Sequence, residues 1–201
     1  MAEFITEKFT TPIGVASYPW LVKPKPALQA GQTEKFDLNL ILDPVDAGEL
    51  KALVEKVAVA AFGSNAMTLM AAGKLANPMK DGNLQMRKGP GGDQIADELY
   101  AGKYFITPRA EKQPLIIGPD NKTILKPDAI YSGSFVRLMI SIYAFPKPGK
   151  TIPNKGVALG LEAIQFARDG QRIGGGPVTA ETAAAGFGVL PGAGGNTGYG
   201  A

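Results

Sequence analysis

Residues 134–145 read SFVRLMISIYAF, an unbroken run of alternating side chains. Val136, Leu138, Ile140, Ile142 and Ala144 fall on one face, and all are aliphatic. Phe135, Arg137, Met139, Ser141, Tyr143 and Phe145 fall on the other. A period of two over this length describes a long strand with one face in a core, and a helix cannot satisfy it. Such a strand needs neighbours on both edges and a layer to cover its aliphatic face. The chain must therefore build a sheet around it.

Other segments supply the neighbours. Residues 34–42, EKFDLNLIL, place Phe36, Leu38, Leu40 and Leu42 on one side and Lys35, Asp37 and Asn39 on the other. Residues 8–28 begin β-branched and aromatic and end in a Pro-punctuated extended run. Shorter strand-like pieces recur at Leu84 and Met86, at 103–107 and at 114–117. Residues 156–168 fit a strand, although Leu159, Ala163 and Phe166 also fit a helical period. A helix is expected after Asp43-Pro44, with Asp46 and Glu49 as a capping pair and Gly63 as its stop. A second helix over 64–76 ends at Asn77-Pro78. Gly and Pro together number 42 of 201 residues, which favours this loop-rich, mainly β reading over a helical bundle.

After Ile173 the composition changes. Ten of the last 29 residues are Gly, six are Ala, and Glu181 is the only charge. Too little apolar surface remains there to offset the entropy of ordering, so the expectation is one domain over 1–173 and a disordered tail over 174–201.

The chain holds no Cys and no His. Disulfides, thiol nucleophiles, imidazole bases and the usual zinc ligand sets are excluded. No run is long and apolar enough for a membrane helix, and Met1 to Lys8 lacks an apolar stretch. The expectation is a soluble cytoplasmic protein without a cofactor.

The net charge of +3 is unevenly spread. Residues 80–172 carry 14 Lys and Arg against 9 Asp and Glu, while the flanking segments are each net −1. A basic block of this kind suits phosphate, nucleic acid or an acidic surface. Ala144–Thr151, AFPKPGKT, imitates a phosphate-binding loop. Pro146 and Pro148 remove two of the N–H donors such a loop needs, and Pro153 and Gly156 oppose the helix that should follow. Asp93, Asp97 and Glu98 read as solvated surface charge.

More informative is the interleaving of aromatic rings with cations. Tyr18 and Trp20 precede Lys23 and Lys25. Tyr100, Lys103, Tyr104, Phe105 and Arg109 lie close together, as do Tyr131, Phe135, Arg137, Tyr143 and Phe145 before Lys147 and Lys150. Single-stranded nucleic acid needs both chemistries: cations follow the phosphates and aromatic faces stack the bases. On this argument Arg87, Lys88, Lys103, Arg109, Arg137, Lys147, Lys150 and Lys155 are the expected phosphate contacts. Trp20, Tyr104, Tyr131 and Tyr143 are the expected stacking residues.

Several short motifs carry a resemblance. They are Tyr100-Ala-Gly-Lys-Tyr-Phe-Ile-Thr-Pro-Arg109, Tyr131-Ser-Gly-Ser-Phe-Val-Arg137, Tyr143-Ala-Phe, Asn154-Lys-Gly-Val157 and Gln165-Phe-Ala-Arg-Asp-Gly170. In this order, over about residues 8–173, the chain resembles a family of bacteriophage single-stranded-DNA-binding proteins related to the helix-destabilising replication proteins of tailed phages. The resemblance implies an OB-fold, a five-stranded Greek-key barrel. It implies no enzymatic activity and a role in phage replication, recombination or repair. Single-stranded DNA is the implied partner, with phage replication proteins and a homodimer left open, in the cytoplasm of the infected host. The tail departs from the acidic tail such proteins often carry, which removes the charge that recruitment would use. Two rival readings remain: a virion-associated structural β-barrel, and a nucleotide-dependent enzyme using Gly149-Lys150-Thr151.

Overall fold

The computed structural model describes residues 6–27, 33–89, 91–146 and 154–173. Its strands are β1 (Thr6–Thr10), β2 (Gly14–Lys25), β3 (Lys35–Leu42), β4 (Met79–Asp81), β5 (Met86–Lys88), β6 (Gln94–Ala96), β7 (Tyr104–Ile106), β8 (Arg109–Ala110), β9 (Leu115–Ile117), β10 (Phe135–Phe145) and β11 (Gly156–Arg168). Two helices, α1 (Gly48–Phe62) and α2 (Ala66–Ala71), lie between β3 and β4. The Gly-rich tail expected from the composition lies outside the described residues.

The strands close into a ring. β2 pairs with β3, β3 with β7 and β8, β8 with β11, β11 with β10, and β10 returns to β2. β7 and β8 act as one interrupted strand, broken at Thr107-Pro108 where proline has no N–H for the ladder. The β8–β11 contact is parallel and the rest of the ring is antiparallel. A five-stranded ring in this order is the OB-fold barrel.

The inner face is the aliphatic one read from the alternation. Val136, Leu138, Ile140 and Ile142 of β10 are fully buried, as are Leu38 and Leu40 of β3. Leu50, Val54, Val57 and Ala58 of α1 join the same core. Gly63 ends α1 with a positive φ of 89° and donates its N–H to the Val59 carbonyl. The expected Asp46–Glu49 cap does not form. Ala47 donates its N–H to the Asp43 carbonyl, closing a turn, and this buried alanine takes the N-cap position without a side-chain cap.

Residues 156–168 are a strand, and the helical alternative has a physical origin. Glu162 has no partner in β10, because Ile140 pairs with Leu161 and Met139 with Ala163. This bulge switches the buried face from Leu159 and Leu161 to Ile164. One inserted residue in a period of two imitates a helical spacing. The N-terminal strand region divides into β1 and β2, which pair with β10 at different places.

Candidate functional site

Asp37 is the hinge of the outer barrel face. It lies on the polar side of β3, opposite the leucines, and the register sets Trp20 of β2 against it on one edge and Arg109 of β8 on the other. Arg109 in turn pairs with Gly160 of β11. One row therefore crosses four strands: Trp20, Asp37, Arg109, Gly160. Directly opposite residues on neighbouring strands share a face, so this row runs across the outside of the barrel.

The row has a bare end. Gly160 brings no side chain, and a β-carbon there would lie 2.5 Å from Ser141 Oγ and 3.6 Å from Tyr143 Cε1. Asp37 and Arg109 of the row line an open groove with two lobes of about 330 and 430 Å³ that share Lys35 and Arg109. Lys25, Thr33 and Asp37 line the first lobe. Pro78, Lys80, Thr107, Tyr143 and Phe145 line the second.

Four cations thus come from four strands. Lys25 Nζ is 4.0 Å and Arg109 Nε 3.6 Å from the buried carboxylate of Asp37. Lys35 lies 3.7 Å from the exposed carboxylate of Glu111. Burial pushes the Asp37 carboxyl above its usual value, with Lys25, Arg109 and Lys80 opposing. Burial also pulls the Lys80 ammonium below the usual lysine range, and Arg109 and Lys25 add to that effect by like-charge repulsion. Tyr143 is raised, first by burial and then by Glu111. A groove whose cations repel one another and outnumber its acids is a place for an anion to bind.

The groove is held from beneath by a small polar network. Thr107 donates to Asn39, which donates to the hydroxyl of buried Tyr100 at 2.9 Å. Tyr100 meets Phe105 edge to face, with centroids 4.9 Å apart, and Lys80 lies over the Phe105 ring.

The structure sorts the residues expected from sequence. Arg109 and Tyr143 line the groove and Trp20 stands in its row. Lys155 is exposed immediately before β11, and its carbonyl accepts the Ala76 N–H. Lys147 and Lys150 lie outside the described residues. Tyr104 packs against the barrel core, paired with Leu42 at the far end of β3 from Lys35. Lys103 lies at that same end, 3.8 Å from Asp43. Arg87 and Lys88 are exposed on the β5–β6 hairpin. Arg137 and Tyr131 lie toward the start of β10, away from Tyr143. Asp97 is not surface charge: it is buried, and its carboxylate accepts the Leu99 N–H. Lys25, Lys35, Lys80, Asp37 and Phe145 line the groove but were not among the expected contacts. The signal for two of them was present in the polar face of residues 34–42.

The chain is similar to known phage proteins. A family model described as "Enterobacter phage Enc34, ssDNA-binding protein" matches residues 9–189. The structure of the single-stranded DNA-binding protein from bacteriophage Enc34 in complex with ssDNA superposes with a TM-score of 0.60 at 18% identity, over 83% of this chain and 89% of that one. Gp2.5, a single-stranded DNA-binding protein encoded by bacteriophage T7, superposes with a TM-score of 0.54 at 14% identity, over 85% of this chain and 95% of that one. A protein of Acyrthosiphon pisum secondary endosymbiont phage 1, p50, is 31% identical over 88 residues, which spans 43% of this chain and 45% of p50.

Proposed function

The chain belongs to the family of the Enterobacter phage Enc34 ssDNA-binding protein, and from that premise we propose that it binds single-stranded DNA, without sequence preference, in the groove crossed by Trp20, Asp37, Arg109 and Gly160. The observation that carries the proposal is the convergence of Lys25, Lys35, Lys80 and Arg109 on one outer barrel face beside Tyr143 and Phe145. Phosphates would sit against the cations. Bases would stack on Tyr143, Phe145 and Trp20 at about 1–3 kcal/mol each. The open face over the second and third barrel strands is where this fold takes oligonucleotides.

The role is that of a binding protein, protecting and organising single strands in phage replication, recombination or repair. Among the described residues no helix is long and apolar enough to cross a membrane, and no cluster of three or more acidic side chains is placed to hold a metal. The host cytoplasm, a homodimer and contacts to phage replication proteins belong to the same reading. Sedimentation with and without DNA measures the second of these.

The test uses the single Trp20. Oligo(dT) is titrated into the protein while Trp fluorescence and anisotropy are followed at low and high salt. Tight binding that weakens with salt is expected, as counterion release requires. Indifference to oligo(dT) at low salt overturns the reading and favours a structural role in the particle.

A further inference from the structure

We propose that the chain carries a second contact surface for the same DNA strand, built from stacked arginines at the start of β10, and that it extends the groove's footprint. The inference rests on the groove reading above. The surface is formed by residues 131–135 and by residues 168–173, which fold back along them. Ile173 donates its N–H to the Ser132 carbonyl. The Tyr131 hydroxyl donates to the Asp169 carboxylate at 2.8 Å and accepts the Gly170 N–H at 3.3 Å. Gly170 lies against the Phe135 ring, where a β-carbon would come within 2.9 Å of Cε2.

Each ring is capped by a guanidinium. Arg168 lies 3.4 Å from the Phe135 centroid and Arg172 lies 3.9 Å from the Tyr131 centroid. Arg137 follows on the same face of β10 and is held by the side chain of Gln165. Three guanidiniums share this surface with one carboxylate, Asp169, which already accepts from Tyr131. A guanidinium fixed flat on a ring keeps its N–H edges for phosphate and its outer face for a base. One face of each ring already carries a guanidinium, so on that side bases stack on arginine and not on Tyr131.

The occupant follows from charge and position. The surface is cationic, and the chain beyond Ile173 offers only Glu181 as an acid, so its own tail is a poor match. Phe135 and Tyr143 share the outer face of β10, about 26 Å apart at the rise of a strand. A strand leaving the groove needs at most about eight nucleotides to reach Arg168, taking the 3.4 Å spacing per strand of a duplex as the minimum.

The experiment compares oligo(dT) of about 6 nucleotides, a length that fits one OB-fold site, with oligo(dT) of about 25. The full chain carries R168A/R172A, R137A, R168K/R172K or, as groove control, R109A. Circular dichroism checks each fold. With R168A/R172A, affinity for the long oligonucleotide is expected to fall about tenfold or more. Its salt slope should drop by about 1.4, at roughly 0.7 per lost phosphate contact on single strands. The short one should bind like the parent. R168K/R172K should keep the salt slope and lose affinity, because lysine restores charge and not the planar face. If the alanine pair unfolds, R137A, which touches only Gln165 among the contacts described, should show the same length-dependent loss. Binding of the long oligonucleotide by the alanine pair, or by R137A in that case, that matches the parent in affinity and salt slope overturns the proposal. Unchanged binding of the short oligonucleotide by R109A overturns the groove reading instead.

Discussion

Arg109 Nε lies 3.6 Å from Oδ2 of Asp37, a carboxylate whose side chain is only 4% exposed. The two residues are 72 positions apart in the chain, and the β3–β8 register makes them direct neighbours. The pair anchors the guanidinium at the floor of the groove while most of its surface stays open to solvent. Lys25 shares the same carboxylate. A buried acid beneath exposed cations restrains them in place before any ligand arrives.

Arg109→Ala removes the cation common to both lobes of the groove. Affinity for oligo(dT) should fall about tenfold, in line with the roughly 1.5–3 kcal/mol of a charge-assisted contact. The slope of log affinity against log salt should become shallower by about 0.7. Fluorescence titration at several salt concentrations reads both quantities. Arg109→Lys should restore most of the slope.

Asp37 makes stability depend on pH in a defined direction. Burial raises its carboxyl above 3.8, and the three cations do not cancel that effect. The folded state therefore holds the proton more tightly than the unfolded chain. The stability this contributes is complete below the ordinary aspartate value and is lost as pH rises through the raised one. Asp37→Asn has no such loss. Thermal melts should show the variant gaining on the parent from about pH 3 to pH 7. Parallel melting curves across that range would falsify the assignment.

Gly160→Leu tests the bare end of the row. Its β-carbon would press on Ser141 Oγ and only touch Tyr143, and the rest of the side chain would project outward beside Arg109. Oligo(dT) binding should weaken by about tenfold or more, a loss of about 1.4 kcal/mol, with the salt slope nearly unchanged because no cation is removed. Retained affinity would mean that the strand does not cross β11 at this point.

Gly156→Ala tests the seam between the helical segment and the barrel. Gly156 has φ 157°, and a β-carbon there would lie 2.4 Å from the backbone N of Ala76. The same seam carries the Ala76 to Lys155 and Val157 to Ala76 backbone bonds. A loss of about 3 kcal/mol is expected, which in a chain of this size lowers Tm by roughly 6–12 °C. Calorimetry on parent and variant at one pH measures it.

Much of the barrel was legible because its strands are written locally. The faces of β10 and β3 follow from alternation alone, and Gly63 marks the end of α1. The expectation for 156–168 stayed divided because the bulge at Glu162 shifts the alternation by one residue. The Asp46–Glu49 cap was misread because a backbone turn from Asp43 places Ala47 at the N-cap. The proposed groove was legible only in part. Aromatic–cation proximity in sequence pointed to Arg109, Tyr143 and Trp20, which the barrel brings to one face. It also pointed to Tyr104, which packs on the core, and to Tyr131, whose ring Arg172 covers.

The sequence by itself determined which residues are inner and which are outer, because a period of two or of 3.6 decides which side of an element is apolar. It also excluded thiol and imidazole chemistry and carried the motifs of the family. Only the tertiary structure decided which outer residues meet. Lys25 and Lys35 face each other across neighbouring strands, while Lys80 and Arg109 lie 45 and 74 positions beyond Lys35. The pairing of β3 with β2, β7 and β8, and of β4 with β7, brings their strands together. Local side-chain patterns carry no information about register between strands, and register is what aligns Trp20, Asp37, Arg109 and Gly160 in one row.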